Sequence, residues 1–213
     1  MELQLKKVLP TYLEEGKTKQ SEIWGRDICW DKGALVKIVA PSGSGKTSLM
    51  SFLYGMRKDY TGSIELNGKI WSQLQPEEMA VIRQEQFSIV FQDLRLLPDQ
   101  TAFQNINIKR MLRPFHEEAR IYEMAEKLGI STKMNALART CSYGEQQRIA
   151  IIRALMQPFD FLLLDEPFSH LDTANSKKAM ELMLQEAAQR NAAIIFADLE
   201  RIDYFPYEQL YHL

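Results

Sequence analysis

The chain has 213 residues, 46% of them hydrophobic and 25% charged, which is enough for one compact domain with its own core. A formal net charge of −2 gives no electrostatic reason to expect nucleic acid or an anionic membrane surface as a partner. Cys29 and Cys141 have no metal spacing and are too few for a disulfide framework, and no apolar run spans a membrane, so a soluble cytoplasmic protein is expected, reaching membranes only through a partner. Along the chain, Glu2–Leu13 and Ile23–Trp30 read as strands around a polar turn at 14–20, with Trp24 and Trp30 as packing residues. Asp31-Lys32-Gly33 is a turn, and Ala34–Val39 is a short continuous apolar strand of the kind buried in parallel sheets. It runs into a glycine-rich loop and then Leu49–Tyr54, which suits a helix. Tyr60–Ile70 carries turn residues at Thr61-Gly62 and Asn67-Gly68 and predicts a hairpin. Phe87–Phe91, Phe161–Leu164 and Ala193–Phe196 are further core strands, and Ser176–Ala188 is an amphipathic helix. From Asp93 to Thr140 the strand pattern gives way to polar, Met-rich stretches such as Phe115–Leu128 with helical spacing. Strands alternating with helices predict an α/β fold with a helical insertion.

Three motifs carry chemistry. The first, APSGSGKTS at 40–48, lies between a strand and a helix. Its glycines let Ser42, Gly43, Ser44, Gly45, Lys46, Thr47 and Ser48 turn backbone N–H groups around phosphate oxygens, at the positive end of a helix. Lys46 would reach the β/γ-phosphates, and the Thr47 hydroxyl would bind Mg²⁺. The second is FDFLLLDEP at 159–167, an apolar strand ending in two carboxylates. Alone, such a run is more often a strand meeting solvent. After a P-loop strand it places Asp165 to hold Mg²⁺ through water and Glu166 to orient or deprotonate an attacking water.

The third, CSYGEQQRIAIIRAL at 141–155, resembles the signature sequence of ABC-type ATPases, with Ser142, Gly144, Gln146, Gln147 and Arg148 in matching places. Tyr143 stands where the family usually has glycine, and Cys141 where it usually has leucine. Read locally, Ser142 caps a helix and Glu145 completes a capping box, and both readings can hold. The resemblance extends to IVFQDLRLLPDQTAFQNI at 89–106, where Gln92 becomes a contact to Mg²⁺ and water, and to SHLD at 169–172, which puts Asp172 at a subunit interface. Tyr12 is a candidate to stack on adenine and reads equally as a core or surface tyrosine.

The resemblance implies a P-loop NTPase core with a mixed sheet, an N-terminal antiparallel β subdomain and an inserted α-helical subdomain. In this division residues 1–92 and 141–213 form the core and 93–140 the helical part of one domain over 1–213. It also implies an ATP-binding, Mg²⁺-dependent ATPase subunit of an ABC transporter. Two copies, or this chain and a second ATPase subunit, would pair head to tail, with each ATP between one P-loop and the other copy's Ser142–Gly144. The pair would drive an integral membrane subunit from the inner face of the cell membrane. The chain's length is most like that of the lipoprotein-release, macrolide-export and cell-division class. One residue departs from the pattern. The family's strand-end Thr-His-Asp becomes Phe196-Ala197-Asp198, and none of the three histidines, His116, His170 and His212, ends a strand there. Good Mg·ATP binding and weak hydrolysis are therefore expected, and the alternative is a nucleotide-dependent regulatory module with little turnover.

Overall fold

The computed structural model describes residues 1–13, 20–200 and 202–213, so the polar turn expected at 14–20 lies outside the described residues apart from Gln20. The strands are β1 (Glu2–Pro10), β2 (Asp27–Asp31), β3 (Leu35–Val39), β4 (Tyr60–Leu66), β5 (Lys69–Ile70), β6 (Phe87–Val90), β7 (Phe161–Asp165), β8 (Ala193–Asp198) and β9 (Gln209–His212). The helices are α1 (Lys46–Leu53), α2 (Pro76–Glu85), α3 (Ala102–Leu112), α4 (Ala119–Lys127), α5 (Tyr143–Leu155) and α6 (Thr173–Arg190).

The strands divide by their burial pattern. β1 alternates buried and exposed positions, as a strand with one wet face must, and joins an antiparallel sheet of order β2-β1-β4-β5. β7 is buried at every residue and lies inside a parallel sheet of order β6-β7-β8-β3-β9, covered on both faces. One face of that sheet packs on α3 to α6 through Leu162, Leu164, Ile194 and Phe196. The other packs on α1 and the antiparallel sheet through Val36, Ile38, Leu163, Ile195 and Ala197. Each parallel strand feeds its carboxyl end toward the same edge, where the loops after β3, β6, β7 and β8 gather.

Three elements differ from the sequence reading. The strand expected over Ile23–Trp30 starts only at Asp27, because the Ser21 hydroxyl accepts from the backbone N–H of Ile23 and Trp24 and folds a turn there. Helix α2 was hidden by its weak periodicity, although Pro76 at its first position and a Gln75–Glu78 capping box mark its start. Strand β9 is short and half-exposed, pairs parallel with β3, and carries the chain on so that the Leu213 N–H donates to Val39 O at 3.0 Å.

Candidate functional site

The loop after β3 is built to expose N–H groups. Gly45 sits at φ 100°, a left-handed conformation that turns the chain into α1, and a β-carbon there would meet the Trp24 ring at 3.2 Å. Trp24, expected at a strand position as a packing residue, lies outside the strands, and its indole N–H donates to Ser44 O at 3.1 Å. It is a positioning residue for the loop that sequence reasoning missed, because no local pattern connects it to residues twenty positions away. The loop encloses a cavity of about 200 Å³ lined by Ser42, Gly43, Gly45–Ser48, Gln92 and Glu166. That is below the roughly 300–1,000 Å³ of pockets that hold a whole small ligand, so it suits a charged tail.

Polar side chains from three strand ends meet in it. Lys46 Nζ donates to Ala40 O at 2.8 Å and pairs with Glu166 Oε1 at 3.0 Å. Thr47 Oγ1 donates to Gln92 Oε1 at 3.2 Å, and Gln92 Nε2 donates to Glu166 Oε2 at 3.2 Å. Glu166 follows β7 at φ 47°, and its N–H is held by Ala197 O at 3.0 Å, which turns its carboxylate back toward the loop. Asp165 is buried, and its Oδ1 has no hydrogen-bond partner among the described residues. Burial pushes its carboxyl up to about 6, and the neighbouring Glu166 adds to this, while a hydrogen bond from Thr47 and the Lys46 charge oppose it.

A buried carboxylate oxygen without a donor is what a divalent cation would satisfy. Among the described residues no three His, Cys, Asp or Glu side chains are grouped to hold a metal by themselves. One carboxylate, the Thr47 hydroxyl and the Gln92 amide suit Mg²⁺ shared with phosphate oxygens, since this ion keeps several non-protein ligands.

At the end of β8, Ala197 is fully buried and faces the same side as α1. On the opposite side of that sheet, Lys37 of β3 is fully buried, with Nζ 3.6 Å above the Phe196 ring and 3.8 Å from Asp198 Oδ2. Lys37 Nζ has no hydrogen-bond partner among the described residues. Burial lowers its pKa to about 8, against the pull of Asp198.

The remaining predicted residues lie elsewhere. The Tyr12 hydroxyl donates to Ser48 Oγ at the rim of the loop, and the Arg57 guanidinium lies over its ring at 5.0 Å from the centroid. Ser142 caps α5 in a reciprocal box, its Oγ accepting from Glu145 N at 3.3 Å and Glu145 Oε2 accepting from Ser142 N at 2.8 Å. Gly144 allows a close approach, since a β-carbon would stand 3.0 Å from His170 O. Asp172 caps α6 through Asn175 N at 2.8 Å. Ser142, Gly144 and Asp172 do not line the phosphate-sized cavity. Gln147 reaches from that region to the cavity: its amide donates to Glu166 O at 3.4 Å and accepts from His170 N at 3.1 Å. A larger cavity of about 600 Å³ lies on the antiparallel sheet between Leu5, Lys6, Ile28 and Cys29, and shares no residue with this chemistry.

Residues 26–169 match the ABC transporter family. The lipoprotein-releasing system ATP-binding protein LolD of Legionella pneumophila (strain Lens) is 32% identical over 184 residues, which is 85% of this chain and 81% of LolD. The macrolide export ATP-binding/permease protein MacB of Bdellovibrio bacteriovorus is 31% identical over 88% of this chain, which spans 29% of MacB. In fold, the chain is similar to the dimeric structure of MJ0796, a bacterial ABC transporter cassette, with a TM-score of 0.85 at 24% identity over 99% of this chain and 94% of that one.

Proposed function

This chain belongs to the ABC transporter family, and on that premise we propose that it is an ATP-binding subunit that binds Mg·ATP and hydrolyses it slowly. The observation that carries this reading is the meeting of Lys46, Thr47, Gln92 and Glu166 in one phosphate-sized cavity at the start of α1, with the buried Asp165 carboxylate beside Thr47 and Glu166. Phosphate oxygens would take the loop N–H groups and the Lys46 ammonium. Mg²⁺ would neutralise the β- and γ-oxygens, with Thr47, Gln92 and Asp165 as its protein partners. Drawing Lys46 onto phosphate frees Glu166 to hold the attacking water.

Two copies pair head to tail in this proposal, with Ser142–Gly144 of one closing over the nucleotide of the other. ATP drives the change because it binds the closed pair better than the open one. Among the described residues no helix is long and apolar enough to cross a membrane, so the work is passed to a membrane subunit. Its proposed dock is the apolar end of α3, where Ile108, Met111 and Leu112 share a helix face with Phe115 just beyond, all exposed. Under this reading the protein lies at the cytoplasmic face of the membrane, and its cargo belongs with the lipoprotein-release and macrolide-export systems for which LolD and MacB are named. Residues 93–140, which include α3 and α4, act in this scheme as the helical subdomain of a single domain.

Slow hydrolysis follows from Ala197, which offers no polar group to the charge that develops on the γ-phosphate. One preorganised contact of that kind is worth about 10²–10³ in rate. Turnover of the wild type measured beside Ala197→His tests this, and a fast wild type unchanged by the substitution would refute it. A second reading, a regulatory module with almost no turnover, is favoured by Ala197 together with Tyr143. ATP-driven dimerisation separates the two: a hydrolytic protein stays dimeric only as Glu166→Gln, a regulatory one also as wild type.

A further inference from the structure

The strand-end histidine is missing, yet another histidine is held with more care than a surface residue needs. His170 is exposed, and its three polar positions are treated differently. Its backbone N–H donates to Gln147 Oε1 at 3.1 Å. Its Nδ1 lies 2.9 Å from Ser169 Oγ, and that hydroxyl accepts from Gln147 Nε2 at 3.4 Å. In the tautomer where Nδ1 accepts from the Ser169 hydroxyl, the ring proton sits on Nε2. Nε2 has no partner among the described residues, and it becomes an oriented donor facing solvent. The ring lies 4.0 Å, centroid to centroid, from that of Tyr143, which is itself 44% exposed. Gly144 lets the loop carrying His170 come this close, since any side chain there would press on His170 O. The other histidines are engaged elsewhere: His116 with the buried Glu186, and His212 with Glu22 beside β9.

We propose that His170 of one copy is a catalytic residue for the nucleotide held by the P-loop of its partner, donating Nε2–H to the γ-phosphate, with Tyr143 and Gln147 as its positioning residues. This rests on the head-to-tail arrangement proposed above. There the Ser142–Gly144 segment faces the partner's phosphates, and the ring packed against Tyr143 comes with it. Gln147 gives the histidine a line back to its own copy's Glu166, because one buried amide touches both. The contact that Ala197 cannot make in cis is then made in trans, and the turnover that remains runs through it.

Mixing copies tests the assignment. His170→Ala alone should bind ATP as the wild type does and lose turnover about tenfold or more. Lys46→Ala alone should not turn over. Mixed together, they form pairs in which the intact P-loop of the first faces the intact His170 of the second, and turnover should return. A second readout needs no turnover: in the Glu166→Gln background, the ring resonance of His170 should shift on adding Mg·ATP and not Mg·ADP, and His170→Ala should weaken ATP-driven dimerisation about tenfold. If Glu166→Gln forms no dimer with ATP, the head-to-tail reading itself fails and takes this inference with it. If the dimer forms and His170→Ala changes neither dimerisation nor turnover, the Tyr143–His170 pair is surface packing and only this inference is overturned. A loss that mixing does not restore places His170 in cis and overturns it too.

Discussion

Replacing Lys37 by methionine should stabilise the protein at neutral pH. The ammonium is fully buried in β3, lacks a hydrogen-bond acceptor among the described residues, and meets its nearest carboxylate only at 3.8 Å. Its pKa falls from 10.5 to about 8, which at about 1.36 kcal/mol per unit makes the charged form cost about 3 kcal/mol in the folded state. Methionine keeps the unbranched stem over Phe196 and removes the charge. Two losses offset the gain: the contact to the Phe196 face, worth ~1 kcal/mol, and the nearer of the two cations that act on Asp198, whose carboxyl burial already pushes up. A net gain of about 1–2 kcal/mol at pH 7 remains. The pH dependence gives the sharper test. Between about 8 and 10.5 the unfolded chain holds the Lys37 proton and the folded chain does not, so raising the pH favours folding of the wild type. The advantage of Lys37→Met should thus be constant below pH 8 and shrink toward pH 10.5. Urea unfolding of both proteins at pH 7, 9 and 10.5, repeated in an Asp198→Asn background, measures this. A difference that stays flat across that range, or a methionine variant less stable than the wild type at pH 7, would show that the charge is not held at a cost.

Three further outcomes are expected. Asp165→Asn should stabilise the ligand-free protein in chelator by ~2 kcal/mol, by removing a buried carboxylate whose pKa burial raises to about 6, and weaken Mg²⁺-dependent ATP binding by tenfold or more; urea melts and calorimetry read the opposite signs. Glu186→Ala should cost about 3–5 kcal/mol, because His116, Arg120 and Arg190 all converge on that buried carboxylate at 2.6 Å. Burial pushes the Glu186 carboxyl up, but these three partners hold it at about 2, so its stabilisation is complete above the ordinary value of 4.5 and fades as pH falls toward 2, which acid unfolding of wild type and variant compares. Trp24→Phe should cost only about 1 kcal/mol in stability, yet lower ATP affinity several-fold, since the lost bond to Ser44 O sets the loop; matched melts and nucleotide titrations separate the two.

What was legible in the sequence was whatever short-range pattern encodes. Ala34–Val39, Phe161–Leu164 and Ala193–Phe196 could be read because a strand buried on both faces has to be a continuous apolar run. The capping box at Ser142 and Glu145 was equally visible, since two residues three positions apart carry the whole device. The hairpin was signalled by Asn67-Gly68, which the structure puts at φ 49° and 78°. What escaped were contacts that only tertiary folding creates. Trp24 reads as a packing aromatic until the chain returns it beneath Ser44. Lys37 passes unnoticed within a strand read as continuously apolar, and nothing nearby announces that Phe196 and Asp198 will close over it. Strand β9 has too few residues and too mixed a burial pattern to stand out, and it exists because β3 would otherwise be an open edge.

That last strand has a practical side. By pairing with β3 it delivers Leu213 to the wall of a cavity shared with Pro41, Ser42, Gly43 and Ser44. A bulky group attached at Leu213 would stand beside the phosphate loop. Met1 lies across the molecule's other sheet, where its carbonyl accepts from Lys32 N at 2.8 Å. A dye carried at position 213 should therefore respond to nucleotide arrival, and one carried at position 1 should not.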